Sequence, residues 1–81
     1  MFKVGDRVRV NWLSKDKELE GLETTIILED FDSPAIDVTE FRKRNPGTTI
    51  GWFNEPAGIY EWYVGRYCLD PIPTPIANTT S

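Results

Sequence analysis

FKVGDRVRVNW (Phe2 to Trp12) and IYEWYVGRYCLDPI (Ile59 to Ile72) are the two stretches that decide the fold. The first begins with Val4-Gly5-Asp6, a turn in which Gly5 is free to take positive φ. Arg7 to Trp12 then alternates, with Val8, Val10 and Trp12 on one face and Arg7, Arg9 and Asn11 on the other. The apolar set is expected to face a core. In the second stretch, Ile59 to Val64 is the strongest strand of the chain. Glu61 belongs in water, which puts Ile59 and Tyr63 on the outer face and Tyr60, Trp62 and Val64 inside. Gly65 to Cys68 breaks the alternation. One helical turn there folds Leu69 back onto the core and lets Asp70-Pro71-Ile72 pair briefly. Terminal strands that meet suggest a small closed β-barrel.

The chain between them supplies the other strands. Leu13 to Leu22 is polar and mixed in charge and reads as a long loop with at most one helical turn. Glu23 to Asp30 is rich in β-branched residues, with Ile26 and Leu28 expected inward and Thr25, Ile27 and Glu29 outward. Phe31 to Pro34 is a turn, since proline does not sit within a central strand. Ala35 to Phe41 alternates again around Ile36 and Val38. Arg42 to Gly47 reads as a hairpin-like connection, Thr48 to Phe53 as a strand, and Asn54 to Gly58 as a turn. The expectation is an all-β domain over residues 1–72. It is a small five- to six-stranded barrel with a short helical turn before the last strand. Residues 73–81, rich in Pro, Thr and Ser, read as a disordered tail.

Composition narrows the chemistry. A single domain of 81 residues buries only about 60–65% of its unfolded surface, so its stability margin is thin. One cysteine, Cys68, provides no disulfide framework and suggests a reducing compartment. No charged stretch precedes an apolar run at the N-terminus, and no run approaches membrane-spanning length, so a cytoplasmic location without membrane contact is expected. Histidine is absent, which removes the commonest general base and metal ligand. No Ser–His or Cys–His pair and no phosphate-cradling glycine loop is present, so no enzyme activity and no catalytic residue is expected. Glu29, Asp30, Asp32 and Asp37 cluster around one turn but miss the calcium-loop pattern; neither metal nor cofactor is expected. A net charge of −4 disfavours non-specific nucleic-acid binding.

Aromatic side chains are the richest functional signal. Trp12, Trp52, Phe53, Tyr60, Trp62, Tyr63 and Tyr67 exceed what a barrel this small needs inside. Between Trp52 and Phe53 one must point outward if the strand is regular. Trp52, Phe53, Tyr63 and Tyr67, flanked by Glu55 and Glu61, form the candidate partner-binding set, because Trp and Tyr dominate binding hot spots. Core packing, or a homo-oligomer interface, would use the same residues. Arg42-Lys43-Arg44 is the one dense basic stretch, and with Arg7 and Arg9 it could form a phosphate-binding stripe. A solvated hairpin tip is the plainer account of it.

Phe2, Val4, Gly5, Asp6, Val8 and Val10, followed at the far end by Trp62, Tyr63, Val64, Leu69 and Pro71, resemble the Src-homology-3-like (KOW- and Tudor-like) small β-barrels. The pattern is similar to that of small phage and bacterial proteins. The resemblance implies the barrel fold over residues 2–72 and leaves the role open, because such barrels host unrelated functions. The "Ala-Leu-Tyr-Asp-Tyr" start of proline-peptide-binding domains is absent, so polyproline recognition does not carry over. Two functional expectations follow. The first is a non-enzymatic protein-interaction module, in its sharpest form a phage-encoded protein that binds and inhibits or redirects a host protein. The second is a nucleic-acid-binding barrel using the Arg42-Lys43-Arg44 loop with aromatic stacking.

Overall fold

The computed structural model of the chain describes residues 2–73. The tail expected over 73–81 lies, apart from Pro73, outside them. Six antiparallel strands form one sheet: β1 (Arg7–Val10), β2 (Glu23–Leu28), β3 (Ala35–Asp37), β4 (Trp52–Asn54), β5 (Ile59–Tyr63) and β6 (Leu69–Pro71). Their order is β4-β5-β3-β2-β1-β6. A six-residue helix, α1 (Thr39–Arg44), follows β3, and 3₁₀ turns occupy Lys17–Leu19 and Arg66–Cys68. The domain is all-β with minor helical turns.

The opening turn, the buried valines and the final strand behave as read. Asp6 N–H donates to Lys3 O at 3.0 Å, and Gly5 takes φ 97° to close that turn. Val8 and Val10 are fully buried. Residues 66–68 make the single helical turn, Leu69 returns to the core, and β6 pairs with β1 from Val10↔Leu69 to Val8↔Pro71. Val64 is buried, and Tyr60 and Trp62 pack on the core from its edge.

The barrel itself does not close. β4 and β6 are the two edges of an open sheet. The sheet wraps its core because β2 changes partner along its length. Glu23 to Thr25 pair with β1, while Ile26 and Leu28 pair with β3. The arrangement is compatible with a small barrel-like fold. The core gathers Val8, Val10, Ile26, Ile36, Val38, Phe41, Ile50, Val64 and Leu69, with Leu19 of the first long loop as its plug. Each such aliphatic side chain contributes about 1.5–3 kcal/mol on burial.

Several local expectations are corrected. Leu28 is exposed, not inward, because the register shifts between Ile26 and Leu28. Two β2 positions then oppose one step of β3, and such a bulge moves every later side chain to the other face. Trp12 is 68% exposed. β1 stops at Val10, and Asn11 turns the chain: its Oδ1 accepts from Leu13 N–H at 2.9 Å and its Nδ2 donates to Tyr67 O at 2.9 Å. The strand expected over Ala35 to Phe41 ends at Asp37. Asp37 Oδ1 accepts from Thr39 N–H at 2.9 Å, and the chain enters α1, which buries Phe41. Arg42-Lys43-Arg44 is therefore the last turn of a helix and not a hairpin tip. Glu40 at the start of α1 and three cations at its end both suit the helix dipole. The strand expected over Thr48 to Phe53 is confined to Trp52–Asn54.

Candidate interaction surface

The β4–β5 hairpin carries most of the expected contact residues. Gly51 introduces it at φ 99°, and a Cβ there would lie 2.6 Å from Val38 Cγ2. Gly58 N–H closes the turn onto Asn54 O at 2.8 Å. Register sets Trp52 opposite Glu61 and Phe53 opposite Tyr60. Neighbouring residues of β4 point to opposite faces, so the two aromatics part.

Trp52 and Tyr63 come together, with ring centroids 5.8 Å apart, and Trp62 lies 5.1 Å from Trp52. The cluster is held by hydrogen bonds at its polar atoms. Trp52 Nε1–H donates to Glu61 Oε2 at 3.0 Å, and Asn54 Nδ2–H donates to Glu61 Oε1 at 2.7 Å. Trp62 Nε1–H donates to Asp16 Oδ2 at 3.0 Å, which ties the hairpin to the first long loop. Glu61, expected to be simply solvated, is partly buried and orients the Trp52 ring. Leu13 of that loop shares with Tyr63 a cleft of about 310 Å³ that also takes in Asp16 and Cys68.

The remaining aromatics sit elsewhere. Phe53 packs on Tyr60 at 5.2 Å, and the Arg42 guanidinium lies 4.4 Å from the Tyr60 ring centroid. Tyr67 belongs to a third group, in which Arg66 lies 4.0 Å from the Phe31 ring and 4.7 Å from its own neighbour Tyr67. None of the four expected contact aromatics is buried: Trp52 is 49% exposed, Phe53 53%, Tyr63 42% and Tyr67 71%. Glu55 stands exposed in the hairpin turn. The face drawn from the sequence thus divides into a Trp52–Tyr63–Glu61 group, a Phe53–Tyr60 pair and a Tyr67–Arg66–Phe31 stack.

The basic residues divide as well. Arg42 is turned inward, where Nη1–H donates to Ile50 O at 2.8 Å and Gly51 O at 2.9 Å. Lys43 lies 3.5 Å from Glu40, and Arg9 pairs with Glu23 at 2.6 Å. Arg7 donates to Thr25 Oγ1 at 3.0 Å. Arg7 and Arg44 do meet, across a cleft of about 280 Å³, but Glu23, Asp37 and Glu40 line it with them. The acidic turn serves the backbone. Asp30 Oδ1 accepts from the N–H groups of Ser33 and Asp32, and these bonds hold its carboxyl below the ordinary 3.8. Glu29 Oε2 accepts from Val4 N–H at 3.3 Å.

Arg66 and Asp16 carry no expected role in the sequence, and neither do Phe31 and Leu13. Phe31 was placed in a turn, and Leu13 was placed in a polar loop; in both cases the partner is distant in sequence. Among the described residues no helix is long and apolar enough to cross a membrane. No known protein family, curated protein or solved structure matches the chain.

Proposed function

We propose that this chain is a non-enzymatic protein-interaction module on an SH3-like scaffold, and that it docks its partner on the Trp52–Tyr63 end of the β4–β5 hairpin. One observation carries the reading. Trp52 is half-exposed on an edge strand, yet its indole N–H is fixed by Glu61 and its ring is flanked by Trp62 and Tyr63. A large aromatic held in place loses little conformational freedom on binding, which is what a hot-spot residue requires. Leu13, which shares a cleft with Tyr63, extends the apolar surface, and Glu61 puts a carboxylate beside Trp52. The two sheet edges differ in the same sense. β6 carries Asp70 and Pro71, a charge and a missing N–H that discourage pairing, whereas β4 carries two aromatics and an asparagine. That the partner is a host protein and the chain phage-encoded rests on the sequence resemblance, and a cytoplasmic meeting place rests on the lone Cys68 and the apolar pattern of the sequence.

The test is affinity capture from cytoplasmic extract with the parent chain, Trp52→Ser, Tyr63→Ser and Arg44→Ala, each first shown to be folded by circular dichroism. A partner captured by the parent and by Arg44→Ala, and lost by both aromatic variants, is the expected result. Capture that survives loss of both aromatics and fails with Arg44→Ala would move the function to the basic cleft.

A further inference from the structure

We propose that the cleft around Arg66 is a binding site for a carboxylate attached to an apolar body, separate from the hairpin face. The cleft holds about 360 Å³ and is lined by Phe2, Asp30, Phe31, Arg66, Tyr67 and Leu69. That is the low end of the range for ligand pockets and fits one amino-acid-sized group.

Arg66 has an unusual position in it. The guanidinium lies 4.0 Å from the Phe31 ring centroid and 4.7 Å from that of Tyr67. Nη2–H donates to Tyr67 Oη at 2.7 Å. Nε is buried and has no acceptor among the described residues. Backbone bonds on either side fix the segment, from Arg66 N–H to Asp32 O at 2.8 Å and from Cys68 N–H to Gly65 O at 2.8 Å. A structural arginine ordinarily has its donors met; this one keeps its cation between two rings with one edge unsatisfied. The Nε and Nη2 hydrogens form the fork that a carboxylate engages with two parallel bonds. Reaching it requires the Tyr67 hydroxyl to leave Nη2, and Tyr67, the most exposed aromatic of the cleft, has solvent to move into.

The rest of the lining selects the ligand. Asp30 holds a negative charge in the same cleft, and the chain is acidic overall. A planar monoanion meets less repulsion there than a dianionic phosphate. Phe2, Leu69 and the free edges of Phe31 and Tyr67 offer apolar contact to whatever bears the carboxylate. Two sources share this chemistry: a free carboxylic acid, and the C-terminus of a peptide ending in an apolar residue.

The Nε–Hε resonance of Arg66 reads the site directly and is assigned from its loss in Arg66→Lys. The isotope-labelled full chain is titrated with N-acetylphenylalanine, with a short peptide ending in phenylalanine, and with the C-terminal amide of each. The expected result is a saturable shift of the Arg66 Nε–Hε and Tyr67 ring signals with the acids, and binding about tenfold or more weaker for the amides. Equal affinity of the two acids points to a free carboxylic acid, and tighter binding of the peptide points to a chain terminus. Tyr67→Phe removes the competing hydroxyl and keeps the ring, so it should bind the acids at least as tightly. Trp52→Ser should leave the titration unchanged, which separates this site from the hairpin face. An Arg66 resonance that does not move at millimolar acid, acid and amide binding alike, or weaker acid binding by Tyr67→Phe would each overturn the proposal.

Discussion

Gly51 and Arg42 show how one residue commits its neighbours. Gly51 combines φ 99° with a site where Cβ would approach Val38 Cγ2 to 2.6 Å and Arg42 Cδ to 3.2 Å. Val38 is fully buried and has no space to retreat. Gly51→Ala should therefore cost about 2–4 kcal/mol, from backbone strain and overpacking together. The urea midpoint measures it, and a loss below about 1 kcal/mol would mean that the hairpin entry shifts freely. Arg42 depends on the same place, because its Nη1 holds the carbonyls of Ile50 and Gly51 while its plane faces Tyr60. Lysine keeps the charge but loses the planar fork, so Arg42→Lys should cost about 1–2 kcal/mol. Lys43→Ala and Arg44→Ala, at exposed positions on the same helix, should stay within about 0.5 kcal/mol of the parent. In the sequence these three cations are alike; only the packing distinguishes the one that faces inward.

At the scale of elements, the turn after β2 has a titrating support. Hydrogen bonds from Ser33 N–H and Asp32 N–H hold the Asp30 carboxyl below 3.8. A carboxyl with a depressed folded pKa stabilises the fold above its unfolded pKa, and that contribution disappears as pH falls through the folded pKa. The Ser33 amide proton should thus report a midpoint below 3.8 in an acid titration, and Asp30→Ala should abolish the step. A midpoint at or above that value would separate the carboxyl from these amides. Elements also differed in how well they could be read. β5 was legible because an unbroken alternation ends at a clear stop, Gly65, and β1 because alternation follows the Gly5 turn, although that alternation runs on to Trp12 where the strand ends at Val10. α1 was not, since six residues with one buried position, Phe41, leave no period to detect, and Ala35 to Val38 alternates up to its first turn. The β2 bulge escaped for a related reason: Glu23 to Leu28 is apolar enough on both faces that only pairing with β3 sets where the register slips. For the hairpin, the outward direction of Tyr63 was legible from alternation, whereas the hold of Glu61 on Trp52 depends on β4–β5 register.

Over the whole molecule, closure and charge are both decided by pairings between distant segments. The chain ends meet through β1 and β6, as alternation implied, but the outer edge of β4 stays unpaired because the sheet turns through β2 without completing the circuit. Charge follows the same logic. The total of −4 could still have concealed a basic face. The fold disperses it: Arg9 goes to Glu23, Arg42 to backbone carbonyls, Lys17 to Trp12 O and Arg66 to two rings, while Arg7 and Arg44 share their cleft with three acids. Phosphate binding draws its strength from several cations acting on one backbone, with a salt dependence that grows with their number. Single-stranded DNA and RNA should accordingly show no saturable anisotropy change with this chain even at low salt. Binding that weakens steeply with added salt, and that Arg7→Ala with Arg44→Ala removes while Trp52→Ser does not, would identify that cleft as a nucleic-acid site and displace the hairpin as the working surface.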